Sequence, residues 1–208
     1  DSRLALAQLS AAYFDYPADE LNVIGVTGTK GKTTTTYMVR SILEQAGHKC
    51  GLMGTIEVLY GDKRIPAKNT TPESYEIQQY FRQMLDCGCD TCVMEVSSQG
   101  LMLKRVAGFT FEIGIFTNLR PDHIGENEHR GFEHYRDCKA LLFSQSKLGI
   151  INFDDENAGF MTEHATCPVI GYGIKNGEKA HDDKLDLCAK DIDIFKALLK
   201  NEKSGWEH

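Results

Sequence analysis

The segment from Gly25 to Thr34 (G-V-T-G-T-K-G-K-T-T) has the residue types that bind a chain of phosphates. Glycines let the backbone curl until several N–H groups point at one anion. A helix beginning near Thr33 adds the positive end of its dipole at the same place. Lys32 can then reach the β- and γ-phosphates, and the Thr33 hydroxyl can join the shell of a Mg²⁺ ion.

The common phosphate-loop motif, G-x-x-x-x-G-K-[ST], fails here because Val26 occupies its first glycine position. The variant G-T-x-G-K-T does match, from Gly28 to Thr33. The alternative is a glycine-rich turn with an unrelated lysine. We favour phosphate binding because an apolar strand pattern precedes the segment and a helical pattern follows it, as a phosphate loop requires.

Three residues outside the loop are further candidates for chemistry. Glu95 ends an apolar run that is typical of a buried strand, and the carboxyl ends of parallel strands face the crevice where ligands bind. Its carboxylate suits Mg²⁺, although a surface or paired glutamate is the alternative. By residue type alone, His123 is a general base or a loop histidine, and Lys139 is an ordinary solvated helical lysine.

The cluster Cys87-Gly88-Cys89-Asp90-Thr91-Cys92 raises the alternative of a zinc site. It offers three thiols but no fourth ligand at the usual spacing. Seven cysteines, an odd number without framework spacing, are more simply interpreted as reduced thiols.

Alternating apolar strands and helices must position these residues. We predict helices over 3–14, 33–45, 132–143 and 156–163, and another with Thr71 as N-cap and Pro72 at its first position. We predict strands over 22–27, 91–96, 111–117, 148–153, 168–172 and 185–189, and an extended segment over 50–60 with a hairpin turn at 60–63. The pattern indicates an α/β fold, a mostly parallel sheet with helices on both faces.

Composition excludes several classes of protein. The chain has 208 residues, enough for one domain with a good core, and its net charge is -7. That charge is opposite to the basic stripe of a nucleic-acid-binding protein. No run of 18 apolar residues indicates a transmembrane helix, and no leader pattern is visible, so we expect a cytoplasmic protein.

The G-T-x-G-K-T variant resembles the loop of the Mur ligases and of the related folylpolyglutamate synthetases. Further segments resemble Mur ligase motifs in the same order, and they are Asn69–Pro72 (N-T-T-P), Met94–Ser98 (M-E-V-S-S), Phe116–Asn118 with Asp122 and His123, Tyr135 with Lys139–Phe143, and the shorter Ile151–Asp155. The N-T-T-P and E-V-S-S motifs resemble the tripeptide-synthetase branch. The resemblance implies the phosphate-loop-containing central domain of such a ligase.

The reaction implied by the resemblance is ATP-driven amide-bond formation in peptidoglycan precursor synthesis. ATP phosphorylates the carboxylate of UDP-N-acetylmuramoyl-L-alanyl-D-glutamate, and the amine of a diamino acid, usually diaminopimelate or lysine, attacks the acyl phosphate. The implied cofactors are ATP and Mg²⁺. The implied partners are these two substrates, with no nucleic acid or membrane, and we expect a monomer.

The resemblance also implies a role for each matching residue. The catalytic residues are Lys32, Glu95, His123 and Lys139, and the metal ligands are Thr33, Glu95, His123 and Lys139 as a carbamate. ATP is bound by Gly28, Thr29, Lys30, Gly31, Lys32, Thr33, Thr34 and Asn118, and the muramyl-peptide by Asn69, Thr70, Thr71, Ser97 and Arg105. Carbamylation is chemically reasonable because a neutral lysine amine reacts with CO₂ and becomes an anion that supports a cation.

Some positions depart from the family pattern. Gly125 stands where the pattern has an aspartate, and Glu126 or Glu128 are the carboxylates that could replace it. Gln99 and Leu103 stand where many members have histidine and glutamine. These departures weaken the assignment of the substrate more than that of ATP.

The resemblance further implies three domains in the whole enzyme. We expect residues 1–20 to be a helix and linker remaining from an N-terminal domain, and residues 21–208 to be a C-terminally incomplete ATP-binding domain. The C-terminal amino-acid-binding domain is then absent, so this fragment alone is expected to be inactive as a ligase.

Two other functions are alternatives for a chain with this loop. A folylpolyglutamate synthetase shares the loop and the glutamate, but the N-T-T-P segment speaks against it. A GTPase-type switch module needs a guanine-specificity motif such as N-K-x-D, and the sequence has none.

Overall fold

The fold is an α/β sheet structure, seen in a computed structural model that describes residues 1–121, 129–174 and the backbone of 187–189. The strands are β1 (Asn22–Thr27), β2 (Cys50–Met53), β3 (Glu57–Tyr60), β4 (Lys63–Pro66), β5 (Thr91–Glu95), β6 (Phe111–Phe116), β7 (Ser146–Asn152), β8 (Val169–Ile174) and β9 (Leu187–Ala189). The helices are α1 (Ser2–Tyr13), α2 (Lys32–Gln45), α3 (Ser74–Asp86), α4 (Ser98–Met102), α5 (Phe132–Ser144) and α6 (Ala158–Glu163), with a 3₁₀ turn at Pro17–Asp19.

The strands form one sheet in the order β4-β3-β2-β5-β1-β6-β7-β8-β9. In this spatial order, neighbouring strands from β2 across to β9 pair in parallel. The pairs β2–β3 and β3–β4 are antiparallel. The chain leaves β1 toward β2 but leaves β6 toward β7, so the direction of connection reverses between these two adjacent strands. Such a switch point opens a crevice at the carboxyl ends of the strands.

Side-chain alternation along the strands divides the core into two layers. Ile24 and Val26 of β1 pack with Val39 and Leu43 of α2 on one face. Val23 of the same strand belongs to the larger layer on the other face, which also contains buried side chains of α3, α5 and α6. Helices therefore lie on both faces, and the predicted fold class is confirmed.

Helix α3 begins later than its sequence predicts. Its N-cap is Glu73, which forms a capping box with Glu76, so the prediction of Thr71 as N-cap and Pro72 at the first position is wrong. The Thr71 hydroxyl has other partners, the carbonyl of Glu95 and the side chain of Ser97. A tertiary contact has replaced the local cap.

The predicted extended segment 50–60 is two strands rather than one. Strand β2 ends at Met53, the chain turns back, and β3 pairs antiparallel with it. The hairpin turn predicted next is confirmed, because Tyr60 pairs with Lys63 at the start of the β3–β4 ladder. Helix α4 and strand β4 were not predicted.

Residues 1–20 pack onto the sheet domain. Ala7 and Ala11 of α1 are buried. The rings of Tyr13 and Phe14 contact the ring of Tyr75 on α3. Among the described residues, no helix is long and apolar enough to cross a membrane.

We expect Phe81→Ala to destabilise the fold by about 3–5 kcal/mol, because truncating a fully buried ring leaves a cavity. Phe81 is 0% exposed and meets Phe109 edge to face at 5.0 Å. The control is Ile42→Ala on α2, where the side chain is 68% exposed and the loss should stay within about 0.5 kcal/mol. Urea unfolding at constant m-value measures both, and equal losses would contradict the assigned core.

Candidate functional site

The glycine loop between β1 and α2 has the shape of an anion-binding turn. Gly28 and Gly31 have φ values of 150° and 83°, in the region that favours glycine. A Cβ at Gly28 would lie 2.0 Å from Oγ1 of Thr117, so no side chain fits there. Helix α2 starts directly after Gly31, and its first-turn N–H groups, those of Thr33 and Thr34 among them, have no intrahelical acceptor. This end of the helix can therefore receive a phosphate.

The loop is held on one side by residues that follow β6. The side-chain amide of Asn118 pairs with the peptide of Lys30 in both directions, at 3.0 Å each. The Asn118 carbonyl accepts the N–H of Thr29 at 2.9 Å, and the Thr117 hydroxyl donates to the Lys30 carbonyl at 2.9 Å. The N–H groups of Thr29 and Lys30, two of the predicted ATP-binding residues, therefore donate to Asn118 and shape the loop.

On its other side the loop is held by helix α5. Nζ of Lys139, a residue that is 1% exposed, donates to the carbonyl of Gly28 at 3.0 Å. The same ammonium group lies 4.6 Å from the centroid of the Tyr135 ring. The Tyr135 hydroxyl lies 3.1 Å from Oγ1 of Thr29. Lys139 is therefore a buried contact of the loop, unlike the solvated lysine that its residue type suggests.

Lys32 lies against the loop that precedes it. Its Nζ donates to the carbonyl of Gly28 at 3.0 Å and to that of Thr29 at 3.2 Å. The positive charge of Lys32 therefore lies beside the N-terminus of α2. A phosphate at this position would be attracted both by Lys32 and by the positive end of the helix dipole.

Glu95 lies beside the loop because β5 neighbours β1, with Glu95 in register with Val26. The residue is 1% exposed. Oε1 accepts from the Thr33 hydroxyl and from the N–H of Thr55, both at 2.9 Å, and Oε2 accepts from the Thr55 hydroxyl at 3.0 Å. A carboxylate has about four lone-pair positions, so capacity for one more partner remains.

Oγ1 of Thr33 and Oε1 of Glu95 can together hold Mg²⁺ once the Thr33 hydroxyl proton turns away from Oε1. Adjacent ligands of an octahedral Mg²⁺ ion, each bonded at 2.0–2.1 Å, lie roughly 2.9 Å apart. Oγ1 of Thr33 and Oε1 of Glu95 are separated by 2.9 Å. Both are hard oxygen donors, which this cation prefers.

Most of the predicted substrate-binding residues lie together beside Glu95. Oγ1 of Thr71 donates toward the Glu95 carbonyl at 3.0 Å and accepts the N–H of Ser97 at 2.9 Å. Arg105 donates to the Thr71 carbonyl at 3.1 Å and pairs with Glu73 at 2.7 Å. Two predicted residues lie in the loop before them: Thr70, whose hydroxyl lies 3.1 Å from that of Thr55, and the exposed Asn69.

The predicted histidine ligand lies outside the described residues. His123, and with it Gly125, Glu126 and Glu128, falls within 122–128.

Sequence reasoning missed two residues that organise the site. Thr55 donates twice to Glu95, but the segment was interpreted as continuous strand, which hid the end of β2 just before it. A glycine directly after an apolar run, here Gly54 before Thr55, is the local signal that indicates the end of the strand. Asp155 has a nearly inaccessible carboxylate that accepts from the N–H groups of Leu119 and Asn157, fixing the segment after β6.

The cysteines do not form the alternative zinc site. Cys87, Cys89 and Cys92 are not among the described side chains whose ligand atoms gather within 4.8 Å of one another. The six cysteines with described side chains are all unpaired, as expected for reduced thiols. Among the described residues, the one such cluster of at least three His, Cys, Asp or Glu side chains is His129, His134 and Cys138.

A strand, a glycine loop and a helix at the switch point of a parallel sheet define a phosphate-loop α/β protein. The family model for the Mur ligase middle domain matches residues 26–204. The chain belongs to the Mur ligase family.

Two curated relatives show how similar other members are. The chain is 46% identical over 206 residues to UDP-N-acetylmuramoyl-L-alanyl-D-glutamate--2,6-diaminopimelate ligase 1 of Clostridium acetobutylicum, covering 98% of this chain and 42% of the relative. It is 42% identical over 203 residues to the corresponding ligase of Clostridium botulinum, covering 98% and 41%. The chain thus spans about two fifths of the length of these relatives.

A solved structure of a UDP-N-acetylmuramoyl-L-alanyl-D-glutamate--2,6-diaminopimelate ligase has the same fold. Its TM-score is 0.72 at 26% identity, over 83% of this chain and 37% of that one. The fold and the family therefore agree with the resemblance drawn from the motifs.

We expect Thr71→Val to cost about 1–3 kcal/mol of folding free energy, because the buried Glu95 carbonyl loses its donor and the partly buried N–H of Ser97 loses its acceptor. Valine keeps the shape of the side chain but not the hydroxyl. The control is Thr71→Ser, which keeps the hydroxyl and should cost less than about 1.5 kcal/mol. Denaturant unfolding measures the free energies, and hydrogen exchange at the Ser97 amide should accelerate in the valine variant alone. Unchanged exchange there would contradict the hydrogen-bond assignment.

Proposed function

We propose that the protein is an ATP-dependent ligase that adds diaminopimelate to UDP-N-acetylmuramoyl-L-alanyl-D-glutamate. The observation that carries this proposal is the Thr33–Glu95 oxygen pair beside the glycine loop. It occurs in a chain whose curated relatives are named for that reaction. The activity is a property of the full-length protein, and the chain supplies its ATP-binding part.

In this proposal the loop binds the phosphates of ATP. The binding residues are Gly28, Thr29, Lys30, Gly31, Lys32, Thr33, Thr34 and Asn118. The N–H groups at the start of α2 face the anion, and Lys32 neutralises part of its charge. Asn118 acts through the shape of the loop, because its amide holds the Lys30 peptide.

Thr33 and Glu95 would hold the Mg²⁺ ion that accompanies ATP. When bound, the cation neutralises charge that develops on the phosphates during transfer. His123 and a carbamylated Lys139 are proposed as further ligands by family resemblance. The position of Lys139 is consistent with a role at the loop, since its Nζ already contacts the Gly28 carbonyl.

The acceptor would approach from the side of the Thr71 cluster. Asn69, Thr70, Thr71, Ser97 and Arg105 are its proposed ligands, and the cluster shares the Glu95 backbone with the metal side. A guanidinium such as that of Arg105 recognises carboxylates and phosphates through its planar fork. The acceptor carboxylate oxygen attacks the γ-phosphorus and ADP leaves, and the diaminopimelate amine then displaces phosphate from the acyl phosphate.

We further propose that residues 21–208 form the ATP-binding domain and that residues 1–20 lead into it. We also propose that the enzyme is monomeric and cytoplasmic, the latter because both substrates are small and water-soluble.

The direct test is the reaction of the full-length protein with ATP, Mg²⁺ and defined acceptors. We expect steady-state ADP release to require both UDP-N-acetylmuramoyl-L-alanyl-D-glutamate and diaminopimelate, and mass spectrometry to detect the tripeptide product. Reactions with lysine, or with a folate acceptor and glutamate, are the comparison arms. ADP release that depends on a folate, or on no acceptor, would contradict the proposal.

We expect Glu95→Gln to lower kcat by about 100-fold or more while the fold persists. The amide keeps the size of the side chain and can still pair with Thr55, but it loses the charge that holds the cation. The control is Glu112→Gln, because Glu112 forms an exposed ion pair with Lys147 at 2.7 Å and should leave kcat unchanged. Steady-state ADP release measures both variants, and equal activity of Glu95→Gln and the unaltered enzyme would exclude Glu95 as a metal ligand.

A further inference from the structure

Helix α5 carries two metal-binding side chains that the proposed reaction does not use. His134 and Cys138 lie four residues apart, which places them on one face of the helix. A third such side chain, His129, lies just before the helix. One ligand atom from each of these three residues lies within 4.8 Å of the others.

The spacing of the His134 and Cys138 ligand atoms matches the requirements of a tetrahedral ion. Nε2 of His134 and Sγ of Cys138 are separated by 3.6 Å. A tetrahedral Zn²⁺ ion with Zn–N bonds of 2.0–2.1 Å and a Zn–S bond near 2.3 Å sets its nitrogen and sulfur ligands roughly 3.6 Å apart. Two of the three ligands therefore need almost no rearrangement.

His129 has the surroundings of an oriented metal ligand. Its ring is fully buried, and Nε2 lies 2.8 Å from the hydroxyl of Ser98 on α4. Metal-bound histidines usually pair their second ring nitrogen with such a group, which fixes the direction of the ring. With the Ser98 contact retained, Nδ1 would be the ligand atom.

The chemistry of the cluster separates it from the site at Glu95. Two imidazoles and a thiol provide nitrogen and sulfur, which suit Zn²⁺ and Co²⁺, whereas Mg²⁺ prefers oxygen. Three protein ligands leave a fourth position for water.

We propose that His129, His134 and Cys138 form a binding site for a Zn²⁺-class transition-metal ion. The thiol gives up its proton to solvent as it becomes the thiolate ligand. The ion links the entry of α5 to its second turn and, through Ser98, to α4. It thereby steadies the helix that carries Tyr135 and Lys139 to the glycine loop.

The competing explanation is a hydrogen bond between the Cys138 thiol and His134. In that arrangement Nδ1 of His134 accepts the N–H of Arg130 at 3.4 Å, and the ring proton lies on Nε2. Metal binding through Nε2 moves that proton to Nδ1. It exchanges two long hydrogen bonds, the one with Cys138 and the one from Arg130, for bonds to the ion.

Cobalt titration of the full-length protein tests the proposal. We expect one Co²⁺ per chain, a thiolate-to-cobalt charge-transfer band and tetrahedral d–d bands, all displaced by Zn²⁺ but not by excess Mg²⁺. Cys138→Ala should abolish the charge-transfer band, and His134→Asn should raise the Kd about 100-fold or more, since even indirect supporting contacts give 10–100-fold effects. Saturating Zn²⁺ should raise the unfolding temperature of the unaltered protein by on the order of 5 °C.

The matched control is Cys87→Ala, which removes an exposed thiol at the end of α3 and should leave the cobalt spectrum unchanged. The partly exposed His134 gives a variant that is expected to fold even if Cys138→Ala does not. The proposal is overturned if the unaltered protein shows no charge-transfer band. It is equally overturned if the band survives in a folded Cys138→Ala variant, or if cobalt affinity is unchanged in a folded His134→Asn variant.

Discussion

The site depends on side chains that hold the peptide groups from Gly28 to Lys30. The Lys30 carbonyl accepts from both Thr117 and Asn118, and the Gly28 carbonyl accepts from Lys32 and Lys139. These bonds fix a curved backbone that would otherwise be one of many conformations open to a glycine-rich segment. A loop that is already curved loses less conformational entropy when an anion binds, so binding is stronger.

The sheet topology brings these contacts to one place. Strands β5, β1 and β6 are adjacent, and their carboxyl ends carry Glu95, the glycine loop and Asn118 respectively. The parallel arrangement aligns the three ends, and contacts between the loops, such as those of Asn118 with Lys30, then hold them. Helix α5 then crosses beneath the loop, so Lys139 reaches Gly28 although 111 residues separate them. Sheet order, rather than any local motif, thus assembles the proposed ATP and metal ligands.

Local patterns predicted what is determined locally. The strand 22–27 and the helix after it follow from apolar runs. The strand-loop-helix context was enough to identify the phosphate loop, and the ordered motifs were enough to identify the family.

Tertiary contacts explain what the patterns missed. Thr71 has the residue type of an N-cap, but its hydroxyl is engaged by Glu95 and Ser97, and that partner choice is invisible in the local sequence. Thr55 donates hydrogen bonds to Glu95 because β2, which ends just before Thr55, lies next to β5. Lys139 is buried because Tyr135 and the loop cover it, whereas helical lysines are usually solvated.

The most direct measurement of the central claim is a crystal structure of the full-length protein with ADP and Mn²⁺, which substitutes for Mg²⁺ and gives an anomalous signal. The account predicts one manganese peak within bonding distance of the Thr33 hydroxyl and the Glu95 carboxylate. It also predicts the β-phosphate against the N–H groups at the start of α2. A nucleotide bound elsewhere, or a manganese peak distant from Glu95, would contradict it.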